Sequence, residues 1–130
     1  MEDLFQLYQK LKSLTKAEKD LIAEGDFEVL QEKLAEKNEL IEKIDQVDQK
    51  EYFASLAISL NGKEELQQKK AELFKLIKEI SQIQAANMNS LEEKKKENKG
   101  KMMSLYSREK SIKGYLNSDK YEAKFFDEKS

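Results

Sequence analysis

Lysine and glutamate carry nearly all the ionisable chemistry of this chain of 130 residues, which has 24 basic and 26 acidic side chains and neither His nor Cys. Carboxylates work as a general acid–base pair only where a desolvated pocket drives their pKa values apart. A thin seam between helices offers little of one. Without His the usual general base and the commonest metal ligand are missing, and Glu-x-x-His di-iron chemistry is impossible. Without Cys there is no thiolate nucleophile, no thiolate zinc site and no disulfide framework. A metal site would have to be all-oxygen, and no stretch has the pattern of a calcium loop. The four Gly leave no phosphate-cradling loop. The chain is therefore expected to be neither an enzyme nor a cofactor protein.

What remains is chemistry of surfaces. Between Glu92 and Lys101 stand Lys94, Lys95, Lys96, Lys99 and Lys101, a candidate phosphate-binding run. Glu92, Glu93 and Glu97 neutralise much of it, so a solvated helix face with paired charges is the plainer expectation. Asn87 and Asn98 fall near the extended seam of the helix that holds them. There they either set register or mark where that helix has no partner. Met102, Met103, Leu105, Tyr106, Ile112, Tyr115 and Leu116 form the richest apolar group. Adjacent Met side chains refit easily to varied partners, which suits a groove for an amphipathic helix. The alternative is ordinary core packed on the first helix. Phe125 and Phe126 must dock on the chain itself or on a partner, since two exposed Phe favour aggregation.

The elements that position these residues follow from composition and spacing. Ala, Glu, Lys, Leu and Arg exceed half the residues, the usage of long helices and coiled coils. The chain has no Pro. Leu4, Leu7, Leu11, Leu14 and Leu21 recur three and four apart, with Glu18 at the one missed position, predicting a helix over about 3–24. Gly25-Asp26 pairs a residue that ends helices with one that caps the next, as a tight reversal or a kink. Phe27, Leu30, Leu34, Ile41 and Ile44 skip Lys37 and continue into Phe53, Leu56, Ala57 and Leu60, predicting a second helix over 27–60. Asn61-Gly62 then reverses the chain. Leu66, Leu73, Leu76, Ile77, Ile80 and Ile83 start a third helix drawn over 63–116, on the order of 80 Å long at the helical rise. Its middle, residues 92–101, holds no apolar side chain and contains Gly100.

The fold class expected is thus all-α: an antiparallel long-helix bundle or coiled-coil hairpin of about three helices, with a protruding C-terminal helix. Residues 1–116 form one helical domain and 117–130 a flexible tail. The net charge of −2 gives no bulk case for nucleic acid or membrane. It divides into −6 over residues 1–61 and +4 over 62–130, which favours pairing of the halves modestly. The uncharged stretch Tyr52 to Gly62 falls far short of the ~20 apolar residues of a membrane span. The start, Met-Glu-Asp, lacks the pattern of a secretory signal, so a soluble cytoplasmic protein is expected. Either a monomer or a homodimer fits the stripes.

Three segments together resemble the bacterial flagellar export chaperones of the FlgN and FliT type. One is Leu21-Ile22-Ala23-Glu24-Gly25-Asp26-Phe27-Glu28-Val29-Leu30, continuing through Leu40-Ile41-Glu42-Lys43-Ile44. The second is Leu76-Ile77-Lys78-Glu79-Ile80-Ser81-Gln82-Ile83-Gln84-Ala85-Ala86-Asn87. The third is the ending with Tyr115, Tyr121 and Phe125-Phe126-Asp127-Glu128-Lys129. The resemblance implies a non-enzymatic chaperone whose clients are hook–filament junction proteins or the filament cap protein. It also implies delivery of the client to the export gate. The client-helix candidates are Met102, Met103, Leu105, Tyr106, Ile112 and Leu116. The export-gate candidates are Tyr115, Tyr121, Phe125 and Phe126.

Overall fold

Aspartate sets the start of each of the first three helices. The computed structural model describes residues 3–60, 62–95 and 99–116, except for the side chains of 95 and 99–102. Asp3 caps α1 (Leu4–Glu24), its Oδ1 accepting from the Phe5 amide at 3.0 Å. Gly25 ends that helix at φ 74°, with its own N–H on the Ile22 carbonyl and that of Asp26 on the Leu21 carbonyl. This paired closure needs a left-handed residue, which glycine supplies without steric cost. Asp26 immediately caps α2 (Phe27–Gln46) through the Val29 amide. The two-residue connection is therefore a reversal, and α1 and α2 lie antiparallel with Glu18 meeting Lys37. A Cβ at Gly25 would meet only the Phe27 ring, at 3.9 Å. Gly25→Ala is thus expected to cost about 1–2 kcal/mol, from backbone strain rather than a clash. The midpoint of urea unfolding measures it.

The helix expected over 27–60 is two helices. Val47 is extended, and Asp48 caps α3 (Gln49–Ser59) by accepting from the Glu51 amide at 3.2 Å. α3 crosses the end of the bundle where α1 begins. Tyr52 donates its hydroxyl to Asp3 Oδ1 at 2.7 Å, and burial together with that acceptor raises the phenol's pKa. Phe53 meets Tyr52 edge-on and lies under the Lys70 ammonium of the next helix, 5.3 Å from ring centre to Nζ. Gly62, at φ 122°, leads into α4 (Lys63–Lys95).

The single helix expected over 63–116 is also two, and among the described residues no C-terminal arm protrudes. α4 ends at Lys95, and α5 (Lys99–Tyr115) runs back along it, so that Gln84 Nε2 donates to the Glu109 carbonyl at 3.0 Å. The physical reason lies in the stretch 92–101. With no apolar side chain there, a straight continuation buries nothing. Folding back buries Leu105, Ile112 and Leu116. Gly100 falls in the first turn of α5.

The result is an all-α bundle, with no strand among the described residues. α1 packs most extensively on α2 and α4, α5 packs on α4, and α2 and α5 close the ring more lightly. The buried stripe of α1 is Leu4, Leu7, Tyr8, Leu11, Thr15, Glu18 and Ile22. Leu14 and Leu21, expected in the seam, flank it instead, because a straight helix of 3.6 residues per turn drifts against a 3.5-residue repeat. Leu30, Leu34, Leu40 and Ile44 of α2 share that core with Leu73, Ile77, Ile80 and Leu91 of α4. Each such burial stabilises by about 1.5–3 kcal/mol, an upper figure for a chain with a compact unfolded state.

Candidate functional site

Four side chains, one from each long-packing helix, meet at the centre of the bundle. Lys37 of α2 donates to Glu18 Oε1 of α1 at 2.5 Å, to Gln84 Oε1 of α4 at 2.6 Å and to Glu109 Oε1 of α5 at 3.2 Å. An ammonium has three donors, and all three are used. The two carboxylates and the ammonium are buried, at 0–1% exposure. One turn along, the Thr15 hydroxyl donates to the Leu11 carbonyl, and Asn87 Nδ2 donates to the Thr15 carbonyl at 2.8 Å. Asn87 is therefore a buried register contact between α4 and α1. Asn98 lies outside the described residues.

The electrostatics of this layer are set by burial. Desolvation pushes the Glu18 carboxyl up to about 8. The Lys37 charge and hydrogen bond oppose that shift, and Glu109 adds to it. A shifted carboxyl of this kind serves acid–base chemistry only beside a cavity that admits substrate. Glu18 has none, being enclosed by the core. At the surface, the Lys12 ammonium bridges to Glu79 at 2.6 Å and holds that carboxyl below its ordinary range.

The sequence-derived client patch divides between the two faces of α5. Leu105, Ile112 and Leu116 point inward and are buried with the core. Tyr106 and Tyr115 are half-buried against that core, and Tyr115 donates its hydroxyl to Asp45 Oδ1 at 2.7 Å. Met103 points outward and is 51% exposed. The Met102 side chain, Tyr121, Phe125 and Phe126 lie outside the described residues. The patch is thus not one continuous surface in the closed bundle. It is a buried seam with Met103 on the opposite side.

Two open grooves flank α1. One, of about 470 Å³ between α1 and α2, has Leu14 and Leu40 at its floor and Gln9, Lys10, Glu36, Glu39 and Lys43 around them. The other, of about 400 Å³ between α1 and α4, places Ile83 and Ala86 beside Lys12, Lys16 and Lys19. No group of three or more potential metal ligands occurs among the described residues. No helix among them is long and apolar enough to cross a membrane.

The sequence signal for the central layer was present as gaps. Glu18 and Lys37 are the positions where the apolar stripes of α1 and α2 skip a beat. Gln84 and Glu109 carried no such mark.

The chain matches the FlgN protein family over residues 1–122 and belongs to that family, which consists of flagellar export chaperones that bind export substrates. Comparison with curated proteins and with solved structures finds no significant match.

Proposed function

We propose that this chain is a cytoplasmic chaperone of hook–filament junction proteins, which covers their amphipathic helical ends, prevents premature assembly and delivers them to the export gate. The observation that carries this reading is membership of the FlgN family across 122 of the 130 residues. Junction proteins are preferred to the filament cap protein because the match is to FlgN rather than to FliT. The client-facing residues are Met102, Met103, Leu105, Tyr106, Ile112 and Leu116. Leu105, Ile112 and Leu116 reach a client only when α5 lifts from the bundle, whereas Met103 is available at once. Tyr115, Tyr121, Phe125 and Phe126 are the residues proposed for the export gate.

The test is co-expression of the full chain with a junction protein and, separately, with a cap protein. The junction protein is expected to co-purify. Met103→Asp is expected to weaken that complex about tenfold, as for a central interface contact, while leaving the helical circular dichroism signal intact. Capture of the cap protein alone would reassign the client. Capture of neither, with the chain sedimenting as a stable dimer, would favour a self-associating coiled-coil scaffold.

A further inference from the structure

The central layer has a charge imbalance that its geometry does not cancel. Two carboxyls, Glu18 and Glu109, share one ammonium, Lys37, in a fully buried site. With both carboxyls ionised the layer would hold one uncompensated negative charge in the core, a costly arrangement. Oε2 of Glu18 and Oε2 of Glu109 are both buried without a hydrogen-bond partner. One proton on either converts an orphan acceptor into a donor and lets the two carboxyls hydrogen-bond to each other. It also leaves the layer neutral.

α1 presents Thr15 and Glu18, α2 presents Lys37, α4 presents Gln84 and Asn87, and α5 presents Glu109. Among the described residues, only Glu18, Lys37 and Glu109 of these can titrate. The Thr15 hydroxyl and the Asn87 amide are committed to backbone carbonyls. Among the described residues, no second cation pairs with either carboxyl.

This layer spans a light seam of the bundle. α2 packs less closely on α5 than α1 does on α2 or α4 does on α5. Across that seam run Lys37 to Glu109 and Tyr115 to Asp45. Along α5 the buried stripe is Leu105, Glu109, Ile112 and Leu116, so a carboxylate interrupts its apolar anchoring. Charge left unpaired at Glu109 therefore weighs on α5, whose hold on α2 is light.

We propose that the Glu18–Lys37–Glu109 layer is a proton-dependent latch: with one proton held between the two carboxyls the α2–α5 seam stays closed, and loss of that proton opens the seam and frees α5 while the α1–α2 hairpin persists. Burial places the loss of the Glu18 proton at about pH 8, close above neutrality. The latch is a property of the free chain and stands whether or not the client assignment does.

Hydrogen-exchange mass spectrometry of the full chain at pH 6 and pH 9, corrected for the chemical exchange rate at each pH, tests it. The opening constant reported by α5 peptides is expected to rise about tenfold or more between those values, since the open form releases the proton that the closed form retains. Peptides of α1 and α2 should rise clearly less. Glu18→Gln keeps an acceptor for Lys37 and should flatten the α5 response. Glu109→Gln should do the same and serves if Glu18→Gln does not fold. The latch is overturned if α5 shows no pH response, if all helices open in parallel, or if the folded variant keeps the slope of the unsubstituted chain.

Discussion

Lys37→Met is expected to destabilise the chain by about 3–5 kcal/mol at pH 7, the range seen when one partner of a buried ion pair is removed. Met nearly matches the volume of the lysine stem, so the loss does not come from a cavity. It comes from what the ammonium leaves behind. Glu18 Oε1, Gln84 Oε1 and Glu109 Oε1 all lose their donor at once. The two carboxyls must then either hold unpaired charge in the core or each take up a proton. At pH 5 protonation is easier, so the penalty should shrink there. Replacing Glu18, Lys37 and Glu109 together by Leu should recover most of the loss, because a buried ion cluster often does no better than apolar side chains of similar size. Urea unfolding of the three proteins at both pH values measures all of this. A loss below about 1 kcal/mol for Lys37→Met would mean that water reaches the layer.

The second large effect is on pH. Burial raises the Glu18 carboxyl from 4.5 to about 8, so between those values the folded chain binds more protons than the unfolded one. Stability from this group is complete below about pH 4.5 and is lost as pH rises through about 8. At 1.36 kcal/mol per pKa unit the full swing is on the order of 5 kcal/mol, an upper figure given the neighbouring charges. Glu79 acts in the opposite sense. Its carboxyl is lowered by Lys12, so its contribution appears as pH rises and is lost on acidification. Guanidinium unfolding at steps from pH 5.5 to 8.5 should therefore show declining stability. Glu18→Gln should remove most of the decline and be the more stable protein at pH 8.5. A flat profile in the unsubstituted chain would contradict the buried, proton-sharing layer.

The parts of the structure legible in the sequence are those determined by neighbours in the chain. The stripes of Leu and Ile located the helical stretches but not the breaks that divide them into five helices, and Gly25-Asp26 marked the end of one helix and the cap of the next while leaving a kink and a reversal equally open. Asn87 stood out as a polar residue on an apolar face, and it is a buried contact to Thr15. The break at Val47 also had a local signal, Asp48 followed three residues later by Glu51, but the charge-free run after it read as one continuing helix.

The central layer was not legible as a layer. Its partners are 19, 47 and 72 residues away from Lys37 and come together only when four helices assemble. Seen one helix at a time, Glu18 and Lys37 are defects in a stripe. The return of α5 was hidden for the same reason. Leu105, Ile112 and Leu116 form a clean seam only if Glu109 is counted as buried, and an isolated glutamate gives no reason to count it so. Client contact at α5 was inferred from an apolar cluster with no visible partner. Most of that cluster has a partner, the rest of the bundle.

The proposed function requires that this bundle hold another protein rather than act alone or on itself. Native mass spectrometry of the full chain, alone and mixed with a purified hook–filament junction protein, tests it most directly. A monomeric chain that converts to a heterocomplex with the junction protein, and shows no mass change with an unrelated helical protein, is the expected result. A chain that remains a homodimer in both samples, with the junction protein left free, would contradict it.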